Sequence, residues 1–167
     1  TAYTAIGLII YAIWNALNDP IVGFLTNKPT KLAQKLGKRY PYILFSAIPW
    51  VFIYILIFSP PPVDPQTSQI TLFLWLVICT CLFDTLYSVW DVNYQAIFPD
   101  KFRSDHERRK AAGIGTIVGV FGIAIGALVP SLIISKTPSN PYFTQSVVVA
   151  FIGFFAVLCM LPGVRET

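Results

Sequence analysis

Three carboxylates stand where carboxylates are costly. Asp19, Asp84 and Asp91 fall inside long apolar runs of a 167-residue chain, and no Lys or Arg lies in the interior of those runs. An ionisable group at bilayer depth costs roughly 2.5–3.5 kcal/mol on insertion scales, so it turns inward and marks an ion or solute path. With no basic side chain at hand, a cation or a proton is left to neutralise these acids. Spacing sorts them into two groups. Tyr11, Asn15, Asn18 and Asp19 follow i, i+4, i+7 and i+8, one face of a helix. Asp84, Ser88, Asp91 and Gln95 repeat that pattern on a second helix, Asp84 and Asp91 drifting only about 20° over seven residues. Two polar stripes on two apolar helices predict two walls of one aqueous cavity.

Pro20 follows Asp19 directly. A proline inside a helix leaves the carbonyl four residues back, that of Ala16, without its donor and tends to kink the helix. A free carbonyl beside amide and carboxylate oxygens is the donor set that hard cations prefer. Broken helices at mid-membrane commonly line such sites. The plainer alternative is a kinked, packed helix whose asparagines bond to neighbours. Trp14 and Trp90 lie beside the stripes, so either is expected to stack on a ligand ring.

The elements that must position these residues are membrane helices. The chain is 55% hydrophobic and only 12% charged, with a mean hydropathy of +0.65. A soluble domain carries about twice that charged fraction. Five apolar runs, at residues 2–26, 41–59, 70–98, 111–135 and 142–161, are each long enough to cross a bilayer as a helix. They are continuously apolar rather than alternating, which excludes barrel strands. The fold class is therefore an all-α polytopic membrane protein forming a single membrane domain over residues 1–167.

The loops carry the direction. The first holds Lys28, Lys31, Lys35, Lys38 and Arg39, and the third holds Lys101, Arg103, Arg108, Arg109 and Lys110, while the second has no Lys or Arg. Basic loops face the cytoplasm, so the first span runs from outside to inside. That direction predicts one more helix before Thr1, completing a six-helix unit, with a second such unit after Thr167. Basic residues confined to short loops argue against nucleic acid as a partner. Cys79, Cys81 and Cys159 fit no zinc or redox spacing and read as buried thiols, and the single His106 cannot build a triad. No nucleophile–base pair or metal cluster can be assembled, so an enzyme is the least favoured class. In the fourth span, Gly115, Gly119, Gly122 and Gly126 form overlapping small-xxx-small ridges, read as surfaces for close helix approach. Trp50, Trp75 and Tyr142 read as interface-belt aromatics.

Two stretches carry a family resemblance. "NDPIVGFLTNKPTKLAQKLGKRYPYI" and "WDVNYQAIFPDKFRSDHERRKAAG" resemble the helix-2 to helix-3 and helix-4 signatures of the glycoside–pentoside–hexuronide:cation symporters, the melibiose-permease branch of the major facilitator superfamily. The order of spans is then similar to helices 2 to 6 of the N-terminal half. The resemblance implies a cation site at Asn15, Asn18, Asp19 and Ser88. Asn15 departs from the pattern, since sodium-coupled members often carry a second carboxylate there, which leaves sodium and proton coupling both open. It implies a solute site at Asp91, with Gln95 where a stacking aromatic is usual and without the fourth-span arginine of sugar transporters. Asp84 is an acid the pattern does not require; with Tyr11 and Trp14 it is placed beside the solute. The loop motif between helices 2 and 3 is matched at Gly23, Lys28, Gly37, Lys38 and Arg39. Asn27 replaces its aspartate, which predicts a weaker gating latch, or one made by hydrogen bonding.

The expected function is a secondary transporter of a small polar solute, a sugar or glycoside, in the cell membrane. It would be coupled to Na⁺ or H⁺ at Asp19, need no other cofactor or metal, and work by alternating access. Its partners would be the solute, membrane lipids and the remaining helices of the same protein. Two rivals stand beside it: a lipid or lysolipid carrier of the same superfamily, and a non-transporting membrane subunit on a degenerate transporter scaffold.

Overall fold

A computed structural model describes residues 2–28, 36–136 and 139–165. Lys31 and Lys35 lie outside the described residues. The described chain forms five helices: α1 (Ala2–Thr26), α2 (Tyr40–Ile57), α3 (Gln69–Lys101), α4 (Asp105–Lys136) and α5 (Pro141–Val164). Each is long and apolar enough to span a membrane. Each also contains a proline (Pro20, Pro49, Pro99, Pro130 and Pro162), yet each runs through it as one helix. Membrane helices tolerate such prolines because neighbours and local adjustment satisfy the freed backbone groups. Pro41 and Pro141 also open their helices at the first turn, where a missing N–H costs nothing.

Two boundaries depart from the sequence expectation. α3 continues past Pro99 to Lys101, and α4 starts at Asp105, so most of the expected third loop is helical. A capping box is the cause. Glu107 N–H donates to Ser104 Oγ at 3.3 Å, and Ser104 N–H donates to the Glu107 carboxylate at 3.2 Å. Two orphan donors of the helix start are thereby satisfied reciprocally. Arg108 adds a 2.7 Å bond to the Phe102 carbonyl across the remaining turn. Ser104→Ala is expected to lower stability by about 1 kcal/mol, read as a drop in detergent melting temperature. Glu107→Ala should act in the same direction, and the double variant should cost less than the sum, because the two bonds form one motif.

Side-chain pairs fix the packing. Tyr3 meets Phe73, Asn15 meets Asp84, Asn18 meets Ser88 and Gly23 faces Val92, so α1 and α3 run parallel. α2 runs against α3: Trp75 donates to the Leu56 carbonyl at 3.0 Å near one end, and Ile43 and Ile97 share a cluster at the other. α5 runs against α2, with Tyr54 beside Gln145 and Ile43 beside Val164. The interior is therefore a block of α2, α3 and α5, centred on Ala47, Val51, Ala150, Val157 and Leu161. α1 lies along the α3 side of that block, and α4 packs on α5.

Trp50, expected at an interface, is instead the hub of this block. Its ring lies 5.3 Å from Phe83, 5.6 Å from Tyr87 and 5.7 Å from Trp90, nearly parallel to the last. The position explains it: ten residues into α2 is about 15 Å from the helix start, near mid-membrane. The glycine ridge of α4 also differs from expectation. A Cβ added at Gly115, Gly119, Gly122 or Gly126 would meet nothing within 4 Å, so no described residue packs closely on it. Gly115 and Gly119 instead border a cleft of about 900 Å³ between α3, α4 and α5. Of the cysteines, Cys79 is buried, Cys81 is half-buried and Cys159 is exposed on the chain surface.

Candidate functional site

The two polar stripes do meet, and they meet in direct contact. Asp84, only 3% exposed, sits in the seam between α1 and α3. Asn15 Nδ2 donates to its Oδ1 at 2.8 Å, and the Tyr11 hydroxyl donates to the same oxygen at 3.4 Å. Asn18 Nδ2 donates to Oδ2 at 3.1 Å and to Ser88 Oγ at 3.0 Å. Asn18 and Ser88 are as buried as the carboxylate they join, at 3% and 2% exposure. At the next residue of α3, Trp14 Nε1 donates to Thr85 Oγ1 at 3.1 Å, and that hydroxyl donates to the Cys81 carbonyl at 2.8 Å.

The expected residues are thus redistributed. Asn15, Asn18 and Ser88 of the cation set come together, but around Asp84, an acid that the sequence reading gave to the solute. Tyr11 joins them. Asp19 stands apart: it is exposed and forms no hydrogen bond with another described residue. Helix geometry explains the separation, since Asp19 points about 100° around α1 from Asn18. Asp91 and Gln95 lie further along α3 and bond to each other, Gln95 Nε2 donating to Asp91 Oδ2 at 2.8 Å. Trp14 hydrogen-bonds Thr85 as described, and Trp90 stacks between Trp50 and Tyr94. Where the sequence predicted two walls with water between, α1 and α3 close on each other at the level of Asp84.

Sequence reasoning missed five buried polar residues, Thr26, Ser46, Asn93, Gln145 and Ser146, of which the last three are the most deeply placed. Asn93 is fully buried; its Nδ2 donates to the Val89 carbonyl at 2.8 Å, and its Oδ1 has no partner. Gln145 and Ser146 are buried on α5, with the Tyr54 hydroxyl 3.5 Å from Gln145 Oε1. All three are visible as polar letters inside apolar runs; what hid them was the absence of a second polar residue at helical spacing.

At the basic end, Gly37 adopts φ 96°, a left-handed conformation that glycine enters without the steric cost other residues bear. Lys38 Nζ donates to Asn27 Oδ1 at 2.9 Å, and Lys28 Nζ lies 4.8 Å from the centre of the Phe24 ring. The loop thus carries, at Asn27, a hydrogen bond from a cationic ammonium to a neutral amide oxygen where an aspartate would make an ion pair. Gly23 contributes close packing, since a Cβ there would stand 3.9 Å from Val92. Lys101 of α3 also donates to the Gly163 carbonyl of α5.

Chemically, a buried carboxylate fringed by neutral donors, with no ion pair among the described residues, is a place for a proton or a hard cation. Five helices long and apolar enough to cross a membrane define an integral, multi-pass membrane protein. The chain belongs to the family described as MFS/sugar transport protein, which it matches over residues 1–167. It is 33% identical over 145 residues to the sodium-dependent lysophosphatidylcholine symporter 1 of Gallus gallus, a match covering 84% of this chain and 26% of that protein. To the symporter of the same description from Mus musculus it is 32% identical over 145 residues, covering 86% and 27%. To a putative sulfoquinovose importer of Salmonella typhimurium it is 23% identical over 168 residues, covering 98% and 34%. The chain therefore spans about a quarter of the length of the lysophosphatidylcholine symporters it matches.

Proposed function

We propose that the protein is a cation-coupled symporter in which Asp84 binds the coupling ion and Asn15, Asn18 and Ser88 supply its neutral co-ligands. The observation that carries this reading is the burial of Asp84 with no basic partner among the described residues. An isolated ionised carboxylate in such a place is costly unless a charge arrives to meet it. Na⁺ is the coupling ion we favour, since sodium dependence is printed in the names of the relatives at 33% and 32% identity. Asp91, half-buried, and Gln95, exposed, lie along the same stripe and would contact the solute. Ion and solute binding together would favour closure, and rocking of helical halves would alternate access. The bond between Lys38 and Asn27 would serve as the loop latch.

Two solute classes fit. A sugar or glycoside follows from the family description, and a lysolipid from the better-matched relatives. The lysolipid reading is favoured further by the lack of arginine in the interior of α4, which leaves its apolar surface unbroken. In proteoliposomes holding the full-length protein, an inward Na⁺ gradient is expected to drive solute accumulation, with little response to a pH gradient alone. Accumulation of lysophosphatidylcholine but not of sulfonated or neutral sugars selects the lipid reading. Accumulation driven by neither gradient would sink the coupling claim.

A further inference from the structure

Resting on the reading of Asp84 as the coupling carboxylate, we infer that Asn15 and Asn18 form a donor-to-acceptor switch that competes with the ion. An ionised carboxylate only accepts hydrogen bonds, so each asparagine facing it must present its amide N–H₂. That is the observed arrangement: Asn15 Nδ2 stands on Oδ1 and Asn18 Nδ2 on Oδ2. A hard cation takes oxygen ligands only. For either asparagine to ligate the ion, its side-chain amide must turn through about 180° so that Oδ1 replaces Nδ2. The same two residues therefore stabilise the ion-free carboxylate in one orientation and hold the ion in the other.

The two oxygens of Asp84 are held unequally. Oδ1 accepts from Asn15 at 2.8 Å and from Tyr11 at 3.4 Å, while Oδ2 accepts, among the described residues, only from Asn18 at 3.1 Å. The Asn18 amide is further shared with Ser88 Oγ at 3.0 Å. A cation seated among Asp84 and both amides turns both, so Asn15 and Asn18 answer to Na⁺ together.

Difference infrared spectroscopy on the full-length protein, with asparagine labelled by ¹³C at the side-chain carbonyl, tests this directly. Replacing K⁺ by Na⁺ should shift two labelled bands to lower wavenumber. One should vanish in Asn15→Leu and the other in Asn18→Leu, with Asn27, Asn93 and Asn140 silent. Because either leucine variant removes a hydrogen bond to Asp84, Asn15→Ser and Asn18→Ser provide a second assignment, and Na⁺-induced thermal stabilisation is recorded alongside. Stabilisation by Na⁺ with both bands unmoved overturns the switch while leaving the coupling reading in place. Neither stabilisation by Na⁺ nor any band shift overturns both.

Discussion

Asp84→Asn is expected to abolish Na⁺-driven accumulation while leaving the protein folded. The carboxamide has the carboxylate's shape but no charge, so it offers a cation one neutral oxygen where there were two sharing a full charge. Its oxygen can still accept from Asn15 and Tyr11 in place of Oδ1. Its N–H₂ then faces Asn18 Nδ2, and a half-turn of the Asn18 amide removes that clash. The stability change should stay within about 1 kcal/mol, the scale of one neutral hydrogen bond. Loss of charge should raise the Na⁺ concentration needed for half-maximal thermal stabilisation by at least roughly tenfold, equivalent to about 1.4 kcal/mol. Asp84→Leu behaves differently, because it strands the Asn15, Asn18 and Tyr11 donors. Of these Asn18 is the buried one, and the loss of its carboxylate acceptor costs about 1–3 kcal/mol, so that variant should be less stable than Asp84→Asn. Asp19→Asn is the informative control. Its carboxylate is exposed and makes no hydrogen bond among the described residues, so stability should move by no more than about 0.5 kcal/mol. If Asp19→Asn loses coupling and Asp84→Asn keeps it, the ion site is at Asp19 and the assignment to Asp84 is wrong.

Trp50→Ala should be the most destabilising single change in the chain, at about 3–5 kcal/mol. The indole packs on Phe83, Tyr87 and Trp90 at once, and Trp90 in turn stacks on Tyr94 at 5.5 Å and donates to Met160 Sδ at 3.4 Å. Removing it opens a cavity where α2, α3 and α5 meet, and packing contacts are lost whether the outer medium is lipid or water. Trp50→Phe should cost far less. Trp50 Nε1 is buried with no hydrogen-bond partner, so phenylalanine removes an unpaired donor as well as some ring area. Detergent melting of both variants checks the ordering; an equal loss in Phe and Ala would show that the indole nitrogen, not the ring, holds the block together.

The helices were legible because lipid demands long apolar runs, and all five expected spans overlap an observed helix. The third loop was not, because charged residues from Lys101 to Lys110 read as aqueous loop. Ser104 and Glu107 carried the correct signal, an S-x-x-E spacing three residues apart, and a capping box overrides charge in deciding where a helix begins. The site was half legible. Spacing assigned Asn15 and Asn18 to one stripe and Asp84 and Ser88 to another, and those stripes do face each other. Which acid stands at the centre depends on the relative register of α1 and α3, a property of two helices together that neither sequence pattern contains. Asp19 lay at the edge of its stripe, and a rotation of one residue was enough to turn it away. Trp50 was misread because amphipathic aromatics favour interfaces on average, while its depth in α2 was the deciding fact.

The unequal cover of the five helices also ranks how readily each can open. α2, α3 and α5 share two apolar clusters, whereas α4 contributes no buried residue along its 32 positions. Local opening free energy follows buried contact, so amide exchange in detergent should be graded: fastest along α4, slowest where α3 passes Trp50 and Asp84. That gradient makes α4 a built-in reporter. Whatever comes to rest against its open glycines will slow exchange there first, and the block beneath will hardly register the arrival.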